Sequence, residues 1–415
     1  MTERYTTVET PKAGARSANP QESASWTSTL TMSWMNDLMQ RGATTPLNDD
    51  DTWPLAAKDS ASALHDRFDL HWRTEKTMEQ PRFQRALLYT FRYQIACDVG
   101  LYCVYAGAML VQPGLIRSIL KDLATDANDD DGYALAALLA VVSFLAVTVF
   151  DFAQYLSTHT GCNAKSLVID AVFRKTLTLS GFAKQDMSTG DIVTLASVDA
   201  DRIYMGFIFG HWILIAPLML LAVYVMIGVE LGALVGLAGG ATMLLFVVIG
   251  TDSGRKAGEI HRNLLSVQAH RVKLTNEVLQ GIRVVKLNAW EDHLEVQLEA
   301  VRDQELVLLK AYQVRSTANT VALYIAPVIS LAVCLFVYVA VGNELTAPVA
   351  FTALAYANVT RLPCTVFATA VMFTSEMVAS CERLGAFLTY GDDPRRIQRA
   401  VERRSVQLGS AGLGH

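Results

Sequence analysis

Residues 203–250 read IYMGFIFGHWILIAPLMLLAVYVMIGVELGALVGLAGGATMLLFVVIG, with Glu230 the single charged side chain in the stretch. A helix needs roughly 20 apolar residues to cross the hydrocarbon core of a bilayer. This run is about twice that, and inside lipid its backbone polar groups have to be satisfied within the chain itself. It therefore predicts two spanning helices, 203–228 and 231–250, joined only by Val229 and Glu230. Gly228, Gly232, Gly236 and Gly240 recur at four-residue spacing and would let the second of these helices pack closely on a neighbour.

Working outward, four more apolar stretches of similar length occur at 95–120, 133–157, 318–341 and 347–374. The last two are joined by the short segment Gly342–Thr346, whereas residues 158–202 and 251–317 make long connections. The whole chain has 415 residues, 52% hydrophobic and only 18% charged, with mean hydropathy +0.27. Soluble domains carry about 25% charge, so the composition points to lipid and carries no nucleic-acid signature. The six cysteines are scattered without a CxxC pair, and most lie in apolar runs, which reads as small buried hydrophobes. His159 and Cys162 are three apart, but no second pair completes a metal site.

Basic residues set the orientation. Connection 158–202 holds five Lys or Arg and 251–317 holds ten, as counted along the sequence. The short connections hold almost none, Lys121 being the main exception, and the first carries Asp126, Asp129, Asp130 and Asp131. Both long connections and both termini are thus expected in the cytoplasm of a multi-pass protein, in a plasma or vacuolar membrane.

The long connections are not featureless. Within 255–315, Leu264, Leu265, Val272, Leu274, Val278, Leu279, Ile282 and Val285 recur at helical spacing, interleaved with charge and free of Pro. This predicts helices running out of the membrane, with Gly258 and Gly281 as their weak points. Ahead of the first span, residues 1–25 are polar and expected to be a disordered cytoplasmic tail with no cleavable signal. Residues 26–94 are expected to form an N-terminal linker, with Trp26, Trp34, Trp53 and Trp72 packed on something, and an interfacial elbow helix over 79–94. The spanning domain then covers 95–390, and 391–415 form a basic tail.

Several motifs now become recognisable. The segment Ser188-Thr-Gly-Asp-Ile-Val-Thr-Leu-Ala-Ser-Val-Asp-Ala-Asp-Arg202 resembles the first cytoplasmic loop of the C-subfamily, or multidrug-resistance-associated, ATP-binding-cassette exporters. The run Arg271–Glu291, RVKLTNEVLQGIRVVKLNAWE, is similar to their second loop. Ser33-Trp34, Pro46-Leu47 and Asp51-Thr-Trp53-Pro54-Leu55 resemble their N-terminal linker, and Glu382-Arg383-Leu384-Gly-Ala-Phe387-Leu388 the exit of their last helix. The matches come in the family's order over roughly residues 26–392. Ser188 with Asp191 also fits a capping box opening a helix. The resemblance implies an all-α, six-helix type-1 transmembrane domain with long cytoplasmic extensions, the fourth and fifth helices crossing to a second half.

It further implies that Thr189, Gly190, Asp191, Asp199 and Arg202, and Asn276, Glu277, Gly281, Lys286, Trp290 and Glu291, belong to coupling elements that seat in nucleotide-binding domains; the alternative is a solvated cytoplasmic helix. No G-x-x-x-x-G-K-[ST] loop and no LSGGQ-type signature occurs in the sequence, which leaves the family pattern near Tyr390. The expectation is that this chain does not itself hydrolyse ATP. ATP and magnesium would be bound by nucleotide-binding domains, and a second transmembrane half is needed as well, fused in a longer chain or supplied separately.

Polar groups inside spans are costly and tend to face a cavity or a partner. Arg117, after Gln112-Pro113-Gly114, and Arg361, in Arg-x-Pro363, stand where the family places basic residues for the anionic part of conjugates. Each has a second reading: snorkelling to an interface, or pairing with an acidic neighbour such as Asp151 or Glu376. Phe209, His211, Trp212, Asn319 and Tyr324 are further candidates for substrate contact, with packing as the competing reading. A family tryptophan expected just before Pro327 is replaced by Leu323 or Tyr324. The function expected is ATP-driven export of amphipathic organic anions or conjugates. A non-transporting partner of a full exporter and a channel or secondary carrier are the alternatives.

Overall fold

A computed structural model describes residues 19–48, 51–78, 81–124, 129–178 and 189–389. Ser188 and the basic tail 391–415 lie outside the described residues, as does most of the tail 1–25. Among the described residues every regular element is a helix. The linker forms α1 (Pro20–Ser23), α2 (Trp26–Leu30), α3 (Asn36–Thr44), α4 (Ala61–Lys76) and α5 (Phe83–Thr90). There follow α6 (Arg92–Ala124), α7 (Asp129–Thr178), α8 (Thr189–Thr194), a π-turn Leu195–Asp199, α9 (Ala200–Phe209) and α10 (Trp212–Leu231). The last described elements are α11 (Ala233–Gln280), α12 (Ile282–Asn288), α13 (Glu291–Ala340) and α14 (Ala347–Thr389). Among the described residues, six stretches are long and apolar enough to cross a membrane: 92–123, 132–178, 190–231, 233–280, 291–340 and 347–389. This is the all-α, six-span architecture expected.

Three boundaries differ from the sequence reading. Among the described residues, Pro20–Ser23 form a helix capped by Asn19, whose side chain accepts from the Gln21 amide, so part of the 1–25 segment is helical. The hairpin between the third and fourth spans turns at Gly232, not at Val229–Glu230. Its φ of 113° is reserved in practice for glycine. That leaves Glu230 on the last turn of α10 and Gly228 on α10 rather than on the fourth span. Finally, α11 runs through Gly258 and breaks only at Gly281, so one of the two foreseen weak points holds as helix.

The chain divides into two compact units. The first gathers residues up to Leu101, Val147–Ile208 and the segment from Thr374 onward. Its core joins Leu64, Phe68 and Trp72 of α4 and Phe83, Leu87 and Phe91 around α5 to Leu167 and Val172 of α7, with Ile203, Leu384 and Phe387. Burying each large side chain contributes roughly 1.5–3 kcal/mol, and Phe68 also stacks on Trp72 with centroids 6.0 Å apart. Polar ties hold the linker to α7. Asn163 donates to Asp59 at 2.8 Å, and Gln21 donates to the Tyr155 hydroxyl at 2.8 Å. Trp34 and Trp53 meet at 5.8 Å, whereas Trp26 is left exposed.

The second unit holds Tyr102–Ala146 and Phe209–Phe373. Here α10, α11, α13 and α14 pack through Val223, Ile227, Val235, Cys334, Ala353 and Tyr356. A Cβ on Gly236 would stand 2.6 Å from the Tyr224 carbonyl and 2.7 Å from Gly228, so α10 and α11 touch backbone to backbone. Tyr224 and Ser330 share a 2.6 Å hydroxyl bond, and Ser330 donates to the Gly239 carbonyl at 3.0 Å. Cys334, Cys364 and Cys381 are buried, as expected, but Cys97, Cys103 and Cys162 are exposed. An apolar run in a spanning helix is apolar on its lipid side too, so apolar neighbours do not imply burial.

Candidate functional site

One polar cluster in the second unit is built on three helices. Arg117 comes from α6, Glu230 from the last turn of α10 and Tyr356 from α14. Nη1 of Arg117 lies 3.1 Å from Oε2 of Glu230, and Nη2 donates to the Glu230 carbonyl at 3.5 Å. Tyr356 donates its hydroxyl to Oε1 at 2.9 Å. Little of the pair is exposed, 24% of the Arg117 side chain and 14% of that of Glu230. The partner of Arg117 is thus neither Asp151 nor Glu376. The sequence reading put Glu230 in an outer loop; the turn at Gly232 keeps it on a helix. Tyr356 was not singled out either. The lone acid between two adjacent spans was the available signal.

Other candidates are placed one by one. The third span breaks at Gly210–His211, and there Tyr102 stacks on His211 at 3.8 Å and meets Trp212 edge-on at 5.4 Å. All three rings are buried, so His211 and Trp212 serve packing in this arrangement. Phe209 stacks on Phe373 at 5.1 Å. Asn319 fits the notch left by Gly250 and Gly254. Its Oδ1 is buried and accepts no hydrogen bond among the described residues. Leu323 packs on Gly250 while Tyr324 is 59% exposed, so Tyr324 is the one of the two that points outward. Arg361 is exposed on α14, one turn before the buried Cys364.

At the far ends of the long helices, the first unit carries Thr189, Gly190 and Asp191 on α8, followed by the π-turn. Single π-turns inside helices frequently mark functional positions. This one carries Asp199, whose carboxylate is 1% exposed. It accepts from Ser380 at 2.9 Å and from Nε of Arg383 at 3.1 Å, with Arg383 Nη2 closing a second bond. Asp199 was expected among docking residues. Its side chain is turned inward, where Ser380 and Arg383 supply the pairing that a buried carboxylate needs. Arg202 lies 3.6 Å from Asp199 and 4.0 Å from Glu376.

In the second unit, Gly281 ends α11 and Ala289, in the left-handed region at φ 51°, ends α12. The short α12 is therefore set off from two helices of 48 and 50 residues. Asn276 and Glu277 lie on the last turns of α11, where the Gly281 amide donates to the Glu277 carbonyl at 3.0 Å. Lys286 pairs with Glu291 at 2.9 Å across the corner. Val284, Leu287 and Trp290 stand 53%, 86% and 53% exposed. Deeper between the same helices, Glu305 of α13 is 1% exposed and takes bonds from Gln268, Arg271 and Arg302 at 3.1, 2.6 and 2.7 Å. The sequence reading missed this hub, since one Glu among many on a charged helix carries no mark.

Residues 99–363 match the family described as the ABC transporter transmembrane region. The chain belongs to this family. Relatives of this ABC transporter transmembrane region include "ATP-binding cassette sub-family C member 4" of Mus musculus, 26% identical over 91% of this chain and 29% of its own length. "ABC transporter C family member 5" of Arabidopsis thaliana is 27% identical over 91% of this chain and 25% of its own. "Multidrug resistance protein mrp-7" of Caenorhabditis elegans is 27% identical over 94% and 27%. These likenesses are to members of the C subfamily, the family that its loop motifs resemble. The chain spans less than a third of the length of these curated relatives.

Proposed function

We propose that this transmembrane region is one membrane half of an ATP-driven exporter that moves amphipathic organic anions or conjugates, its long helix ends lying in the cytoplasm. The observation that carries the reading is α12. A seven-residue helix held at the tip of two long helices, with Val284, Leu287 and Trp290 exposed, is a built docking knob. Contiguous exposed apolar side chains at such a tip favour a partner surface. The partner in this reading is a nucleotide-binding domain that binds ATP and magnesium. No stretch of the present 415 residues reads G-x-x-x-x-G-K-[ST]. A second transmembrane half completes the path, and the plasma or vacuolar membrane is the expected site. In this reading Arg117 and Arg361 are the anion contacts, and Asn319 and Tyr324 of α13 are further substrate contacts.

The test is uptake of a fluorescent glutathione conjugate into inside-out vesicles of source membranes, with an antibody to residues 255–290 used to remove the chain. ATP-dependent uptake that disappears on depletion supports the reading. Uptake that persists without ATP would overturn the ATP-driven step, and uptake indifferent to depletion would overturn the assignment of substrate.

A further inference from the structure

The Arg117–Glu230 pair leaves part of each group unspent. Arginine carries five N–H donors in a fixed fork that suits a bidentate anion. Here Nη1 sits 3.1 Å from Oε2 of Glu230. Yet Nε of Arg117 and Oε2 of Glu230 are both buried without a hydrogen bond among the described residues. The contact is an ion pair without good hydrogen-bond alignment. Meanwhile the other oxygen of Glu230 is held by Tyr356 at 2.9 Å. A carboxylate released by Arg117 would keep that bond.

We propose that Glu230 is a selectivity residue: an internal carboxylate that occupies the guanidinium of Arg117 and yields it to the anionic group of a substrate. A carboxylate or sulfonate able to take two guanidinium donors gains alignment that Glu230 lacks, whereas an uncharged amphipath gains nothing and leaves the pair closed. Tyr356 lowers the cost of the exchange, because the displaced Glu230 is not left bare in a low-dielectric site. This rests on the reading that the complete machine exports organic anions. It adds that the Arg117 site discriminates by displacement of its own counter-ion.

The experiment measures ATP-dependent uptake into inside-out vesicles carrying the assembled transporter. It compares an aryl sulfonate with an uncharged amphipath of similar size for wild type, Glu230→Gln and Tyr356→Phe. Glu230→Gln removes the competitor, so the KM for the sulfonate should fall about fivefold, the equivalent of an ordinary ion-pair coupling, with the neutral compound unchanged. Tyr356→Phe should move the sulfonate KM the other way, by about twofold or more, because Glu230 then grips Arg117 alone. A sulfonate KM unchanged or raised in Glu230→Gln, with the protein in the membrane, overturns the proposal. Should that variant fail to reach the membrane, Tyr356→Phe decides: a raised sulfonate KM supports displacement and an unchanged one overturns it. If wild type carries the neutral compound and no sulfonate, the parent reading of an anion exporter falls, and this inference with it.

Discussion

Arg383 donates from Nε to Oδ2 of Asp199 at 3.1 Å, although 184 positions separate them. The exposure is lopsided: the Arg383 side chain is 47% exposed and that of Asp199 1%. Removing the arginine leaves a buried charge with only Ser380 and the looser Arg202 contact, while removing the carboxylate leaves an arginine that water can reach. Arg383→Met is therefore expected to cost on the order of 3–5 kcal/mol, and Asp199→Asn clearly less. Thermal melting of the detergent-solubilised chain reads the difference, and equal losses would show that water reaches Asp199.

Two glycines of α11 should respond with opposite signs. A Cβ at Gly236 meets backbone atoms of α10 at 2.6–2.7 Å, so Gly236→Ala is expected to cost about 1–3 kcal/mol. A Cβ at Gly258 meets nothing within 4 Å on an exposed helix face. Gly258→Ala should gain about 0.5–1 kcal/mol from helix propensity. The same melting measurement on both variants checks the pair.

Leu287 is 86% exposed on α12. Leu287→Glu should change the melting free energy by less than about 0.5 kcal/mol yet abolish ATP-dependent uptake, because the apolar knob is lost. Uptake at the wild-type rate would remove α12 from the coupling path.

Orientation can be read at the same tip. With the exposed Cys97, Cys103 and Cys162 replaced by serine, Leu287→Cys is expected to react with a membrane-impermeant maleimide in inside-out vesicles and not in sealed right-side-out ones, as the bias of basic residues toward the long connections requires. Modification in right-side-out vesicles alone would invert the topology.

Glu305 takes two arginines and a glutamine on a nearly inaccessible carboxylate. Glu305→Ala should destabilise the α11–α13 pair by roughly 1–3 kcal/mol. Hydrogen exchange confined to residues 262–306 would register it, and protection unchanged there would mean the apolar contacts alone hold the two helices together.

Much of the fold was legible because a bilayer imposes one strong rule, about 20 apolar residues per crossing. Six runs obeyed it, and the apolar spacing over 255–315 foretold that α11 would outlast its span. What escaped was local backbone geometry. Gly232 and Gly228 look alike in a four-residue repeat, yet only one has a positive φ, and that choice moves Glu230 from a loop onto a helix. The π-turn that carries Asp199 has no composition mark, so the inward turn of that carboxylate was not legible. Arg117 was picked out by its cost in lipid, but its partner lies 113 positions away. Periodicity says nothing about that distance.

The hairpin at Gly232 also sets where the chain can be lengthened. One residue there reverses direction between α10 and α11, and the Gly228–Gly236 approach requires that register. A tag or an inserted loop would slide one helix past the other. The segment Gly342–Thr346 between α13 and α14 is irregular and makes room for added residues. Of these two short connections on that side of the membrane, only the second is a point of entry for a fluorophore or an epitope.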